Sequence, residues 1–246
     1  MRTNRRRYLA SLAGIGSFGL AGCTDSVALF GDDTTALGPP ETSRGSPIHP
    51  IHGDEFPDFE LPDPATGQAV SLNDLGGTAF AMTFIYTSCT DQCGVLMQLL
   101  RLIQNDAAEM GYSDDIELLA VTFDPDTDTP EKLIEYAEVF GIDPDSENFR
   151  FLRPEDNDTA HEIVNERFGV PAEVHDDHHD HDGSDDHEYG DSDGNEEPQG
   201  TGIHYYMLFL VNGDGIVERS YPNVVGSREE TRPNAILEDV QAVVGI

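Results

Sequence analysis

Basic residues are what this 246-residue chain has least of: 13 Lys and Arg stand against 48 Asp and Glu, and Lys132 is the only lysine. A formal charge of −35 repels polyanions, which argues against nucleic acid and an anionic membrane surface as partners. Cysteine is scarce as well, with three in all. No sequence repeat stands out, and the apolar run from Leu9 to Ala21 is too short to span a bilayer comfortably. The roughly two hundred residues that follow it suffice for one well-buried domain with tails. Their acids are scattered along loops and helix faces instead of gathering into cation sites. That distribution fits a solvated acidic surface in a halophilic setting, where a short Debye length screens the self-repulsion.

The first 22 residues read as an address. Asn4-Arg5-Arg6-Arg7-Tyr8-Leu9 resembles a twin-arginine export signal, and Leu20-Ala21-Gly22-Cys23 resembles a lipoprotein cleavage box. The expectation is a signal peptide over 1–22, lipidation of Cys23 as the first mature residue, and an anchored position on the extracytoplasmic face of the cell membrane. The competing reading is an ordinary export signal in which Cys23 is incidental. A single lipid chain holds weakly, so a stable anchor needs more than one. Residues 23–53, rich in Gly, Pro, Ser, Thr and Asp without periodicity, read as a flexible tether, with His49 and His52 as solvated linker residues at its end.

Residues 54–246 carry the pattern of a folded domain. Phe56 to Leu61 and Ala69 to Leu72, with a turn at Asp63 to Gly67, predict a small hairpin. Phe80 to Tyr86 and Ile116 to Phe123 are continuous apolar runs of the kind central strands require. Thr129-Pro130 opens a helix lined by Leu133, Tyr136, Ala137 and Phe140 and stopped by Gly141. A short strand follows at Phe149 to Leu152, and Ala160, Ile163, Val164 and Phe168 mark a further helix closed by Gly169. Ile203 to Val211, a turn at Asn212 to Gly215, and Ile216 to Tyr221 form a β-hairpin, and a last helix covers Thr231 to Val244. This alternation specifies an α/β sheet flanked by helices, with its terminal hairpin antiparallel, the arrangement of a thioredoxin-like fold.

Cys89 and Cys93 lie where the first apolar strand hands over to a helix whose Leu96, Leu99, Leu100, Ile103, Ala107 and Met110 recur at helical spacing. Unpaired N–H groups and the positive end of a helix dipole favour thiolate there, which serves disulfide exchange and soft-metal binding equally. A structural disulfide or two core thiols fit the same spacing, and the residues by themselves leave these readings open.

Three separated motifs carry a resemblance: Cys89-x-x-x-Cys93 after Phe84-Ile85-Tyr86; Asp124-Pro125 followed by Asp128-Thr129-Pro130; and His204 at the head of the strand leading into the Asn212 to Gly215 turn. In this order they resemble the Sco (SenC) family of thioredoxin-like copper chaperones, over Phe56 to Val244 with the histidine-rich insertion excluded. The resemblance implies a mononuclear copper site with Cys89, Cys93 and His204 as ligands, and Asp124 near it as an outer group that orients ligands or a partner. Asp128 is expected to cap the next helix locally. The resemblance also implies delivery of copper to the dinuclear copper centre of a terminal oxidase, cytochrome c oxidase. Cuprous copper prefers two soft sulfurs with an imidazole, which agrees with that ligand set. The chain departs from the family in Gly94, where proline is usual, which predicts a looser helix start, and in Ile203 and Tyr205 around His204, where small hydroxyl residues are common.

The insertion at 173–200 holds His175, His178, His179, His181 and His187 among aspartates and glycines, with little to bury, and is expected to be disordered. It reads either as an accessory metal store beside His204 or as an acidic, salt-tolerant loop. Two other activities share the fold. A thiol-disulfide reductase would use Cys89 and Cys93 as a redox disulfide to keep oxidase cysteines reduced, and would need an electron donor. A thiol peroxidase is disfavoured, because Tyr86 stands where such enzymes carry threonine.

Overall fold

The computed structural model describes residues 34–40, 47–89, 93–172, 206–224 and 231–246. The strand β3 (Ala79–Ile85) lies at the middle of its main sheet, and all seven of its residues are buried. A strand with no polar face has to be covered on both sides, and its side chains alternate between two cores. Ala81 and Ile85 join one, Phe80, Met82 and Phe84 the other. On one edge β3 pairs in parallel with β4 (Ile116–Thr122), in register from Ala79↔Ile116 to Ile85↔Thr122, and β4 pairs in parallel with β5 (Phe149–Leu152). On the other edge it meets β6 (Leu208–Val211) antiparallel, followed by β7 (Val217–Tyr221). The order is therefore β5-β4-β3-β6-β7. This mixed sheet flanked by helices is the thioredoxin-like arrangement that the element order predicts.

The first core takes its helical side from α1 (Cys93–Met110), α2 (Pro130–Phe140) and α4 (Pro233–Val244), through Leu96, Leu100, Ile103, Leu133, Ala137, Ile236 and Val240. The second is closed by the hairpin β1 (Glu60–Pro62) and β2 (Ala69–Ser71), and by α3 (Asn157–His161), which widens into a π-helical turn over Glu162–Arg167. Its centre is aromatic: the Phe56 ring stands 5.3 Å from Phe80, 5.2 Å from Phe168 and 5.4 Å from Phe209. Each such buried ring contributes about 1.5–3 kcal/mol.

Local signals act as the sequence predicts. The Thr129 side chain accepts from the Lys132 N–H, Pro130 sits in the first turn of α2, and Gly141 closes it in the left-handed conformation at φ 71°. In the β6–β7 turn, Gly215 N–H donates to Asn212 O at 2.9 Å while Asn212 Oδ1 accepts from Asp214 and Ile216. The final helix starts two residues later than expected, at Pro233, and the strand expected from Ile203 is described from Leu208.

The stretch read as a tether behaves differently. Its described parts, 34–40 and 47–53, dock on the outer edge of β7. Glu218, on that strand and fully buried, accepts from the Ala36 N–H at 2.7 Å and the Leu37 N–H at 2.9 Å, and Arg219 Nη1 donates to Gly38 O. Gly53 N–H donates to Val217 O, and Val217 N–H to Asp54 O. His49 and His52 are half-buried, His49 against the Phe209 ring and His52 with Nδ1 3.0 Å from Glu218 O, so neither is a solvated linker residue. The composition suggested a tether because Gly, Pro and Asp bury little, but the docking runs through backbone groups that composition does not record. Gly169 belongs to the same contact: at φ 65° its absent Cβ would lie 2.4 Å from Ile48 O.

Candidate functional site

The parallel strands β3 and β4 end on the same side of the sheet, where β3 continues into 86–89 and α1 begins at Cys93. The carboxyl ends of parallel strands are where open α/β sheets place their ligands. Cys89 is half-buried and Cys93 buried. The first turn of α1 contains no acidic residue, and the positive end of a helix dipole favours thiolate there. Gly94 is the second residue of α1. An added Cβ there would lie 2.7 Å from the Phe140 ring, so α2 occupies the space that a larger residue would need.

The thiol loop is held by Asp128. This carboxylate has no exposure and accepts four bonds: from the Thr87 N–H at 3.0 Å to Oδ1 and 3.2 Å to Oδ2, from the Thr87 hydroxyl, and from the Thr122 hydroxyl. Thr87 lies two residues before Cys89 and Thr122 ends β4, so one side chain ties the loop to the sheet. Burial pushes the Asp128 carboxyl above the usual carboxylate range, against the pull of its Thr donors. Arg153 fixes the segment that carries Asp128, donating to the backbone oxygens of Asp128 at 2.8 Å and Pro125 at 2.7 Å. The expected role of Asp128 as a helix cap falls to Thr129 instead. Asp124 is buried too, but its Oδ1 accepts from Asn157 Nδ2 at 3.2 Å and its N–H donates to Thr122 Oγ1. Its bonds run to the end of β4 and to α3, and the acid that reaches the thiol loop is Asp128.

Tyrosines surround the pair. The Tyr86 hydroxyl donates to the Cys89 sulfur, and burial first, then that bond and the nearby thiols, hold its pKa well above the ordinary range; Tyr206 acts on the same hydroxyl. The Tyr86 ring packs on Phe123 at 5.0 Å. From α2, Tyr136 stacks edge-on against Phe140 at 4.9 Å, and burial and the fields of Cys93 and Cys89 raise its pKa as well. Sequence reasoning placed Tyr136 on the core face of its helix, and took Tyr86 as a strand end and as grounds against a peroxidase. The available signal was a tyrosine three residues before a cysteine, at the end of a wholly apolar strand.

His204, the insertion histidines His175, His178, His179, His181 and His187, and Cys23 lie outside the described residues. Among the described residues no three His, Cys, Asp or Glu gather as a metal site, so the two sulfurs are the described portion of the expected ligand set. The approach to β6 is described from Tyr206. Thr83 pairs with Leu208 across the β3–β6 ladder, and Thr83 Oγ1 donates to Met207 O at 2.7 Å.

The SCO1/SenC family model matches residues 52–244, most of the chain. The chain belongs to the SCO1/SenC family. Among solved structures, this SCO1/SenC protein is similar to BsSco, described as a member of the Sco family of cytochrome c oxidase assembly proteins with a disulfide switch. The two share 23% identity and a TM-score of 0.56, over 80% of this chain and 98% of that one. It is similar to a SCO1/SenC family lipoprotein from Bacillus anthracis (19%, TM-score 0.55, 78% and 95% covered) and to yeast Sco1 with copper bound (19%, 0.51, 76% and 90%). At these identities the likeness carries the fold. No curated protein matches the sequence.

Proposed function

We propose that this SCO1/SenC protein is a copper chaperone that takes its cargo on Cys89, Cys93 and His204 and hands it to the dinuclear copper site of a cytochrome c oxidase. The observation that carries the reading is the thiol pair itself: a buried and a half-buried sulfur at the mouth of α1, on a sheet end where thiolate is favoured. Such a donor pair suits soft cuprous copper, and one imidazole completes it. Support for His204 as that imidazole comes from its place in the sequence, four residues before Leu208, where β6 begins beside β3. Tyr206 already acts on Tyr86. Relatives of the same fold add to it, since yeast Sco1 is a copper-bound structure. Export by the twin-arginine route and a lipid on Cys23 would hold the domain on the extracytoplasmic face, where the oxidase copper subunit is reached.

In this reading the residues divide the work. Asp128 and Thr87 fix the loop, Tyr86 bonds the more exposed sulfur, and the positive end of the α1 dipole favours thiolate at Cys93. A thiol-disulfide reductase is the second reading, favoured by the pair being complete for exchange without a third ligand. One substitution separates the two. In His204→Ala, tight copper binding measured against a competing chelator is lost while exchange with a disulfide probe persists. If copper binding survives unchanged, His204 is no ligand; if exchange alone is ever detected, in wild type as in variant, the reductase reading replaces the chaperone.

A further inference from the structure

Glu218 is fully buried on the last strand of the sheet, and its donors come largely from the segment that leads into the domain. Each carboxylate oxygen takes one amide, Ala36 at 2.7 Å on Oε1 and Leu37 at 2.9 Å on Oε2. Asn212 Nδ2 joins the two sides, donating to Glu218 Oε1 at 2.7 Å and to Thr34 O at 2.8 Å. Arg219 Nη1 holds Gly38 O at 2.8 Å, and the Leu37 side chain packs on the first core. A carboxylate shut off from water needs such donors, so seat and segment stabilise each other.

The seat lies at one end of the sheet. Asn212 belongs to the β6–β7 turn, and Gly213 O of that turn accepts from the Gly77 N–H, two residues ahead of β3. Cys89 and Cys93 follow the opposite end of β3, and the length of that strand sets the two ends about 20 Å apart. We infer that residues 34–38 are an orientation latch, which makes the chain join the domain at the sheet end opposite the thiols. It leaves residues 24–33, at most about 35 Å when extended, between the latch and Cys23. A link free as far as residue 53 would reach about 100 Å and impose no direction. The inference deepens the proposed function, and its consequence at a membrane rests on the lipid at Cys23. An anchor there stands behind the domain, so the thiols face a partner site that projects from the membrane and not the lipid surface.

The latch is tested in the full chain in solution, without membrane or metal. Spin labels are placed on Cys89 and on Thr34→Cys, whose side chain is exposed, in a background of Cys23→Ser and Cys93→Ser. Pulsed dipolar spectroscopy is expected to read one narrow distance distribution, centred beyond about 20 Å. Ala36→Pro with Leu37→Pro takes both amides from Glu218 while leaving every residue of the sheet in place, and is expected to replace that peak by a broad distribution. Hydrogen exchange in the wild type gives a second measurement, with the Ala36 and Leu37 amides slowed at least tenfold against an unfolded chain. A distribution that is broad in wild type, centred short of about 20 Å or unchanged by the prolines overturns the inference, as do unprotected amides. A protein found in cells without lipid on Cys23 overturns the anchor alone, and the distance still decides the latch.

Discussion

Replacing Asp128 by alanine strips the thiol loop of its main tie to the sheet, and the cost can be worked from its partners. The Thr122 hydroxyl is fully buried and loses its only strong acceptor, while the Thr87 N–H and hydroxyl are half-buried and water reaches them in part. An abandoned buried donor costs about 1–3 kcal/mol, and the two at Thr87 are discounted for exposure, so the total is about 3 kcal/mol. Urea denaturation followed by far-ultraviolet circular dichroism reads it directly. Modification of Cys89 by a bulky alkylating reagent, compared under folding conditions, reports release of the loop. The same residue carries a pH signature. Its folded pKa is raised above the ordinary 3.8, so its contribution is fully present below that value and is lost as pH rises through the folded pKa. Subtracting the stability of Asp128→Asn from that of wild type at each pH isolates this term from the other acids, and the difference must fall across that window. A variant Asp128→Ala that unfolds at the wild-type urea concentration, with Cys89 no more reactive, would refute the reasoning.

Two more outcomes follow from close contacts and from the leader. Gly94→Ala is expected to destabilise by about 1 kcal/mol, because the clash with Phe140 outweighs the gain in helix propensity. In a Phe140→Ala background the same change becomes stabilising, and thermal melts of the four chains check the reversal. If the proposed export and lipidation hold, Cys23→Ser, expressed with residues 1–22, is expected to move from the membrane to the soluble fraction. Retention in the membrane pellet removes the lipid anchor from the proposal.

What could be read from the sequence was local. β3 and β4 are legible because they are long, nearly continuous apolar runs, and α2 because Thr129, Pro130 and Gly141 mark both of its ends. The thiol pair at the head of α1 was legible for the same reason. The role of Asp128 was hidden because its carboxylate reaches 41 residues back to Thr87, where spacing along the chain carries no information. Tyr136 was read correctly as facing inward, but the position of its oxygen depends on how α2 packs on α1. The docking of 34–40 depends on Glu218, some 180 residues away.

That docking bears on how copies of this protein avoid one another. β7 ends the sheet, and the outer strand of a sheet is a template for another chain. With 48 acids, like-charge repulsion separates molecules in dilute buffer, but at about 1 M salt the screening length falls to about 3 Å and that protection vanishes. The pairing of residues 53–55 with 216–217, and the Ala36 and Leu37 amides bound by Glu218, close the template from within. Because it is made of short-range hydrogen bonds, part of them to the buried Glu218 carboxylate, this barrier to edge-on aggregation persists where the electrostatic one is gone.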